Sequence, residues 1–149
     1  IRLTKNNICA QIINFSPTGD KVVCTATGKD LIKLDYNLNK GNICAAYLIG
    51  LVIGKKGAAK NIKEVVPDFG LQSVVKKSRI FAVIKGAIEA GLNMNCQEDI
   101  LPSEDQLLGK HISAYAKEHA DKFTQYTKKG IKLEELSKHV ELIKNKIIG

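Results

Sequence analysis

Apolar and polar positions change their period along the chain, and each change marks an element. Residues 8–15 (I-C-A-Q-I-I-N-F) and 22–27 (V-V-C-T-A-T) are short, β-branched runs separated by Ser16, Pro17, Thr18, Gly19 and Asp20. Two such runs around a turn cluster predict a β-hairpin. Residues 31–34 predict a short third strand ahead of the polar stretch 35–40. From Gly41 and Asn42 the period turns helical, with apolar residues at 43, 44, 47, 48, 51 and 52. Asn42 suits the N-cap, and Gly54 and Gly57 predict the helix end. Residues 62–66 predict another strand, stopped by Pro67, and 69–77 a loop. Ser78 is placed to cap a second helix with core positions Ile80 or Phe81, Ile84 and Ala87 or Ile88, ended by Gly91.

Residues 93–102 form a polar linker that turns acidic at Glu98 and Asp99. Ser103, Glu104, Asp105 and Gln106 spell a capping box, which predicts one helix to about His119. Leu133, Leu136, Val140, Ile143 and Ile147 recur at helical spacing and predict an amphipathic C-terminal helix. Such a stripe needs cover, and the expected cover is the helix near Ser103, through Leu107, Leu108, Ile112 and Tyr115, with a neighbouring protein as the alternative. The order predicts an α/β fold, a mixed sheet with packed helices over residues 1–92, followed by a helical C-terminal extension over 93–149.

Composition sharpens this picture. The 149 residues are 44% hydrophobic and 26% charged, as in an ordinary globular domain. Lysine and arginine total 23 against 15 acids, a net charge of +8, and only Arg2 and Arg79 are arginine. The excess points to a polyanion, and lysine suits phosphate better than base edges. Residues 55–86 hold eight cations and two acids, whereas 87–149 hold nine and ten, so the basic character belongs to the α/β part. The longest uncharged apolar run, 43–54, is too short to span a bilayer, which takes about 20 residues. The opening residues carry no leader pattern and run straight into a strand-like segment. Cys9, Cys24, Cys44 and Cys96 include no C-x-x-C pair, so they read as small core residues in a reducing compartment.

No catalytic constellation assembles. There is no G-x-S-x-G elbow, and His111, His119 and His139 contain no i, i+4 pair to hold a metal. Carboxylates are scattered, and Asp68, just after a predicted strand, reads as a loop brace. Gly50 to Lys56 lacks P-loop spacing. Gly54-Lys55-Lys56-Gly57 looks like the G-x-x-G loop of a KH domain, but residues 58–61 leave no room for the second helix. KH-like binding of single-stranded RNA and a metal-dependent nuclease on the same fold are the alternatives. Neither a cofactor nor a small-molecule substrate is implied. The best candidate is Lys76-Lys77-Ser78-Arg79, where cations meet the free N–H groups of a predicted helix N-terminus.

Several segments, in order, resemble one family. These are Arg2-Leu3 with Asn6-Asn7-Ile8 and Ala10-Gln11, then Gly41-Asn42 with Ala45-Ala46-Tyr47-Leu48 and Gly50-Leu51. Next come Val66-Pro67-Asp68-Phe69-Gly70, Ser78-Arg79-Ile80-Phe81-Ala82 and Lys85-Gly86-Ala87-Ile88-Glu89-Ala90-Gly91-Leu92. Ile100-Leu101-Pro102, Gly109 and His111-Ile112-Ser113-Ala114-Tyr115 look like the extension of its archaeal and eukaryotic branch. The chain thus resembles the large-subunit ribosomal proteins that bind 5S ribosomal RNA, bacterial L-eighteen and its relatives. The resemblance implies a ribonuclease-H-like fold without catalysis, in the large subunit of the cytoplasmic ribosome. It implies 5S ribosomal RNA held in the central protuberance by a basic N-terminal arm and one side of the domain. Large-subunit ribosomal RNA and neighbouring ribosomal proteins are the other implied partners. The expected RNA contacts are Arg2, Lys5, Asn6, Lys76, Lys77, Ser78 and Arg79, with Lys55, Lys56 and Lys85 weaker, and Lys21, Lys29 and Lys33 merely solvated. The loop 71–77 departs from the family in lacking its frequent glycine before Arg79.

Overall fold

Alternation along β2 (Ile8–Asn14) buries Ile8 and Ala10 and turns Gln11 and Ile13 outward. In the computed structural model, which describes residues 1–123 and 135–149, β2 pairs antiparallel with β3 (Lys21–Thr27). Cys9 lies opposite Thr27 and Asn14 opposite Lys21, with an irregularity between Ile12 and Ile13. On the other side of β2 lies the short β1 (Arg2–Leu3), with Arg2 opposite Cys9 and Leu3 opposite Ile8. The turn between them closes with the Thr4 N–H donating to the Asn7 carbonyl at 2.9 Å.

The sheet is therefore antiparallel, in the order β1-β2-β3, where a mixed sheet was expected. Residues 62–66 form no strand. They make one parallel bridge, Glu64 to Asn93, with the Asn93 N–H on the Lys63 carbonyl at 2.7 Å. Their backbone is tied to the segment after the second long helix instead of to β2. Residues 31–34 also depart from expectation, because α1 (Gly28–Ile32) is helical. Local capping decides this: the Thr27 N–H donates to Asp30 Oδ2 at 2.8 Å, and Thr27 Oγ1 accepts from the Lys29 N–H at 3.3 Å.

Asn42 starts α2 (Ile43–Ala58) as expected, its Oδ1 accepting from the Ala45 N–H at 2.8 Å. From Cys44 to Gly54 every residue of α2 is buried, so this helix is apolar all round and forms the centre of the core. Gly54 and Gly57 do not end it. They are sites of close packing, Gly54 against Ala87 and Ala90, Gly57 against Ile12 and Leu92. α3 (Arg79–Glu89) ends near Gly91, whose φ is +102°. The two helices cross backbone to backbone: a Cβ on Gly50 would overlap the Val83 carbonyl, and one on Gly86 the Tyr47 carbonyl.

The helix expected from Ser103 to His119 is two, α4 (Glu104–Leu107) and α5 (Lys110–Glu118). Gly109 breaks it with φ +74°, and a Cβ there would sit 2.8 Å from both Cys44 Sγ and Leu136 Cδ2. α6 (Leu136–Ile148) buries Leu136, Val140, Ile143 and Ile147 in the main core; Leu133 lies outside the described residues. Docking is internal, but α2 is the principal partner and α5 the lesser one. Tyr115 is exposed and faces His119 and Phe123 instead of α6. Polar ties reinforce the seat: Lys144 donates to Glu89 at 3.2 Å, and the Tyr47 hydroxyl donates to the same carboxylate.

Candidate nucleic-acid interface

Arg79, the first residue of α3, reaches across to the start of α2. Its Nη1 donates to the Gly41 carbonyl at 2.7 Å and to the Thr4 carbonyl at 3.3 Å. Gly41 is packed so closely under the β1–β2 turn that a Cβ would overlap the Lys5 carbonyl. Three pieces of chain thus meet at one end of the molecule: the turn at residues 4–7 and the N-termini of α2 and α3. Both helix dipoles point their positive ends there. Lys5 and Asn6 are exposed on the turn. Lys77, next to the start of α3, is exposed and has no side-chain partner among the described residues. Lys40 belongs to the same end, its stem lying against Gly28. Sequence reasoning passed over Lys40, although its place before Gly41 and Asn42 marks it.

Comparison with known proteins identifies the family. A family described as ribosomal large subunit proteins 60S L5 and 50S L18 matches residues 1–66. The large ribosomal subunit protein uL18 of Methanococcus maripaludis is 40% identical over 155 residues, covering 99% of this chain and 80% of that protein. The uL18 of Caldivirga maquilingensis is 40% identical over 157 residues, covering 99% and 76%. The chain belongs to the uL18 family of large-subunit ribosomal proteins. Its role is structural and non-enzymatic, within the large subunit of the cytoplasmic ribosome, among ribosomal RNA and other ribosomal proteins. Among the described residues no helix is long and apolar enough to cross a membrane, and no cluster of His, Cys, Asp or Glu could hold a metal ion.

Within this uL18 chain the expected contact residues fall into two groups. Three are bonded within the protein itself and a fourth is buried. Arg79 is the brace just described. Lys56 donates to the Thr25 carbonyl at 2.7 Å and to Asp30 at 3.0 Å. Lys85 donates to the Pro102 carbonyl at 3.0 Å, pinning the linker to α3. Ser78 stands at the N-cap of α3, but its Oγ is buried and makes no hydrogen bond, so its side chain does not cap the helix as expected. The KH-like alternative also fails here, because Gly54-Lys55-Lys56-Gly57 lies inside α2 and is not a loop.

The other group faces outward. Arg2 is exposed, its guanidinium packed against Gly70 and near Asp68. The Gly70 N–H on Asp68 Oδ1, at 2.8 Å, and then Arg2 hold that carboxyl below its ordinary range. Lys76 makes an exposed ion pair with Asp99 at 2.9 Å, which lowers the Asp99 carboxyl. Lys77 has φ +58°, and its N–H donates to the Ile100 carbonyl at 2.9 Å. Lys55 is exposed but lies about 20 Å along α2 from Asn42, so it is not part of the Arg79 end.

Proposed function

We propose that this uL18 protein binds 5S ribosomal RNA and anchors it in the central protuberance, using the end of the molecule where α2 and α3 begin. The observation that carries this reading is the convergence of two helix N-termini with Lys5, Lys40 and Lys77 on one surface. Backbone N–H groups, dipoles and ammonium groups there all favour phosphate. Arg2, Lys5, Asn6, Lys76 and Lys77 touch phosphate and sugar, and Lys55, outside that end, is a separate, weaker contact. Ser78 and Arg79 shape that end from behind, while Lys56 ties α2 to β3 and α1, and Lys85 ties α3 to the linker. The exposed Lys76–Asp99 pair is weak enough for phosphate to replace the carboxylate. The reading includes a ribonuclease-H-like plan used without catalysis, which the parallel Glu64–Asn93 bridge supports. It places the RNA surface in residues 1–92, with 93–149 as an extension.

The test is to extract and size the RNA that copurifies with the native protein. One discrete species comigrating with 5S ribosomal RNA is expected. A heterogeneous smear, or the same yield from a Lys5→Ala/Lys77→Ala variant, would overturn the reading.

A further inference from the structure

Two of the three cations in Lys76-Lys77-Ser78-Arg79 are already engaged, in opposite ways. Arg79 is bonded to the Gly41 and Thr4 carbonyls, in the seam between α2 and the β1–β2 turn. Lys76 is bonded instead to a carboxylate, Asp99 Oδ2, and both side chains of that pair are more than half exposed. The carbonyl bonds belong to the packing. The exposed ion pair is weak and opens readily in water.

Residues 98–102 are fastened so that Asp99 stays beside Lys76. Glu98–Ile100 is a single 3-10 turn, closed by the Leu101 N–H on the Glu98 carbonyl at 3.1 Å. Ile100 and Leu101 pack against Ile80, Phe81 and Ile84 of α3. The Lys77 N–H holds the Ile100 carbonyl, and Lys85 Nζ holds the Pro102 carbonyl. The acidic turn is thus tied to α3 by apolar contact and by a hydrogen bond on either side of Leu101. A carboxylate fixed there is an internal anion on an ammonium group that the RNA reading assigns to phosphate.

We propose that Asp99 is an autoinhibitory contact, which occupies Lys76 in the free protein and has to be displaced before an RNA phosphate can enter. The proposal rests on the RNA reading of this end. Swapping carboxylate for phosphate leaves Lys76 with an anion before and after, so Lys76 adds little net affinity. The cationic end therefore holds RNA less tightly than its charges alone would allow. Glu98 is the natural control, because it carries the same charge one residue away and makes no bond to Lys76.

The test titrates the full chain with labelled 5S ribosomal RNA at one fixed salt concentration, read by fluorescence anisotropy. Asp99→Asn should tighten binding about threefold, and Glu98→Gln clearly less. Lys76→Ala should weaken binding less than about twofold in the natural chain and about fivefold in the Asp99→Asn chain, where the phosphate contact is no longer offset. Thermal melting of the Asp99→Asn chain should move little, since Ile100 and Leu101 still seat the turn. Equal gains from Asp99→Asn and Glu98→Gln would overturn the proposal, and so would a gain that persists undiminished without Lys76. Both would show a general effect of charge. Weaker binding by Asp99→Asn would overturn it as well, because Asp99 would then be holding Lys76 in place for RNA. No binding of 5S ribosomal RNA by the natural chain is a different failure: it would overturn the RNA reading itself, and this proposal with it.

Discussion

Lys77 places a non-glycine residue at φ +58°, where an L side chain costs about 1–2 kcal/mol. Glycine would relieve that strain but lose entropy on folding. A Lys77→Gly protein is therefore expected to gain up to about 1 kcal/mol in urea unfolding while binding RNA less tightly. Opposite signs in the two assays mark a residue kept for its charge. Asp30 is the converse, a carboxylate kept for the fold. Burial alone raises its pKa, but hydrogen bonds from Lys56 and the Thr27 N–H outweigh burial and lower it on balance. A folded value below the unfolded one, about 3.9, makes the contribution fully present above that pH. It is lost as pH falls through the folded value. Asp30→Asn should cost about 1 kcal/mol at neutral pH and flatten the acid limb of the stability curve below about pH 4. An unchanged acid limb would show that other carboxylates control it. Arg79 was legible as the interior arginine at a helix start, but its partners, the Gly41 and Thr4 carbonyls, were not, being 38 and 75 residues away in sequence.

Elements with local punctuation were legible, except α1, whose Thr27–Asp30 cap is local yet whose residues 31–34 read as a strand. The hairpin turn, the Asn42 cap and the Gly91 stop act through neighbours in sequence, and each stands where expected. Elements decided by distant packing were not. Gly54 and Gly57 looked like a helix end because their need for small size comes from α3 and β2, not from α2 itself. Residues 62–66 have strand-like composition, yet the Lys63 carbonyl and Val65 N–H bond to residue 93 and the Ile62 N–H bonds back to Gly57. Gly109 splits the helix after Ser103 because Cys44 and Leu136 occupy the space a Cβ needs. The α6 stripe was right about burial and wrong about the principal partner, since periodicity reports a face but not what it meets. Val140 is fully buried there, so Val140→Asp places a carboxylate in the core. Its expected cost is at least about 3 kcal/mol, read as a lowered and less cooperative thermal transition. Unaltered melting would mean that α6 is not seated on α2.

For the molecule as a whole, the division between outward and occupied cations is testable by salt. If about six phosphates are neutralised, log affinity should fall against log salt with a slope near −5. Lys5→Ala should make that slope shallower by just under one. Lys56→Met should leave it unchanged and lower stability instead, because its charge is spent on Thr25 and Asp30. Equal slope changes for both would erase the distinction. The Gly50–Gly86 crossing acts on this end from a distance. Contact of backbone on backbone makes it a fulcrum with no cushion of side chains. The start of α2 lies about 12 Å from Gly50, so a tilt of about 5° at the pivot swings that end by about 1 Å. The spacing of the two cationic helix starts is thus gauged by two residues that have no side chain and stand remote from the surface they calibrate.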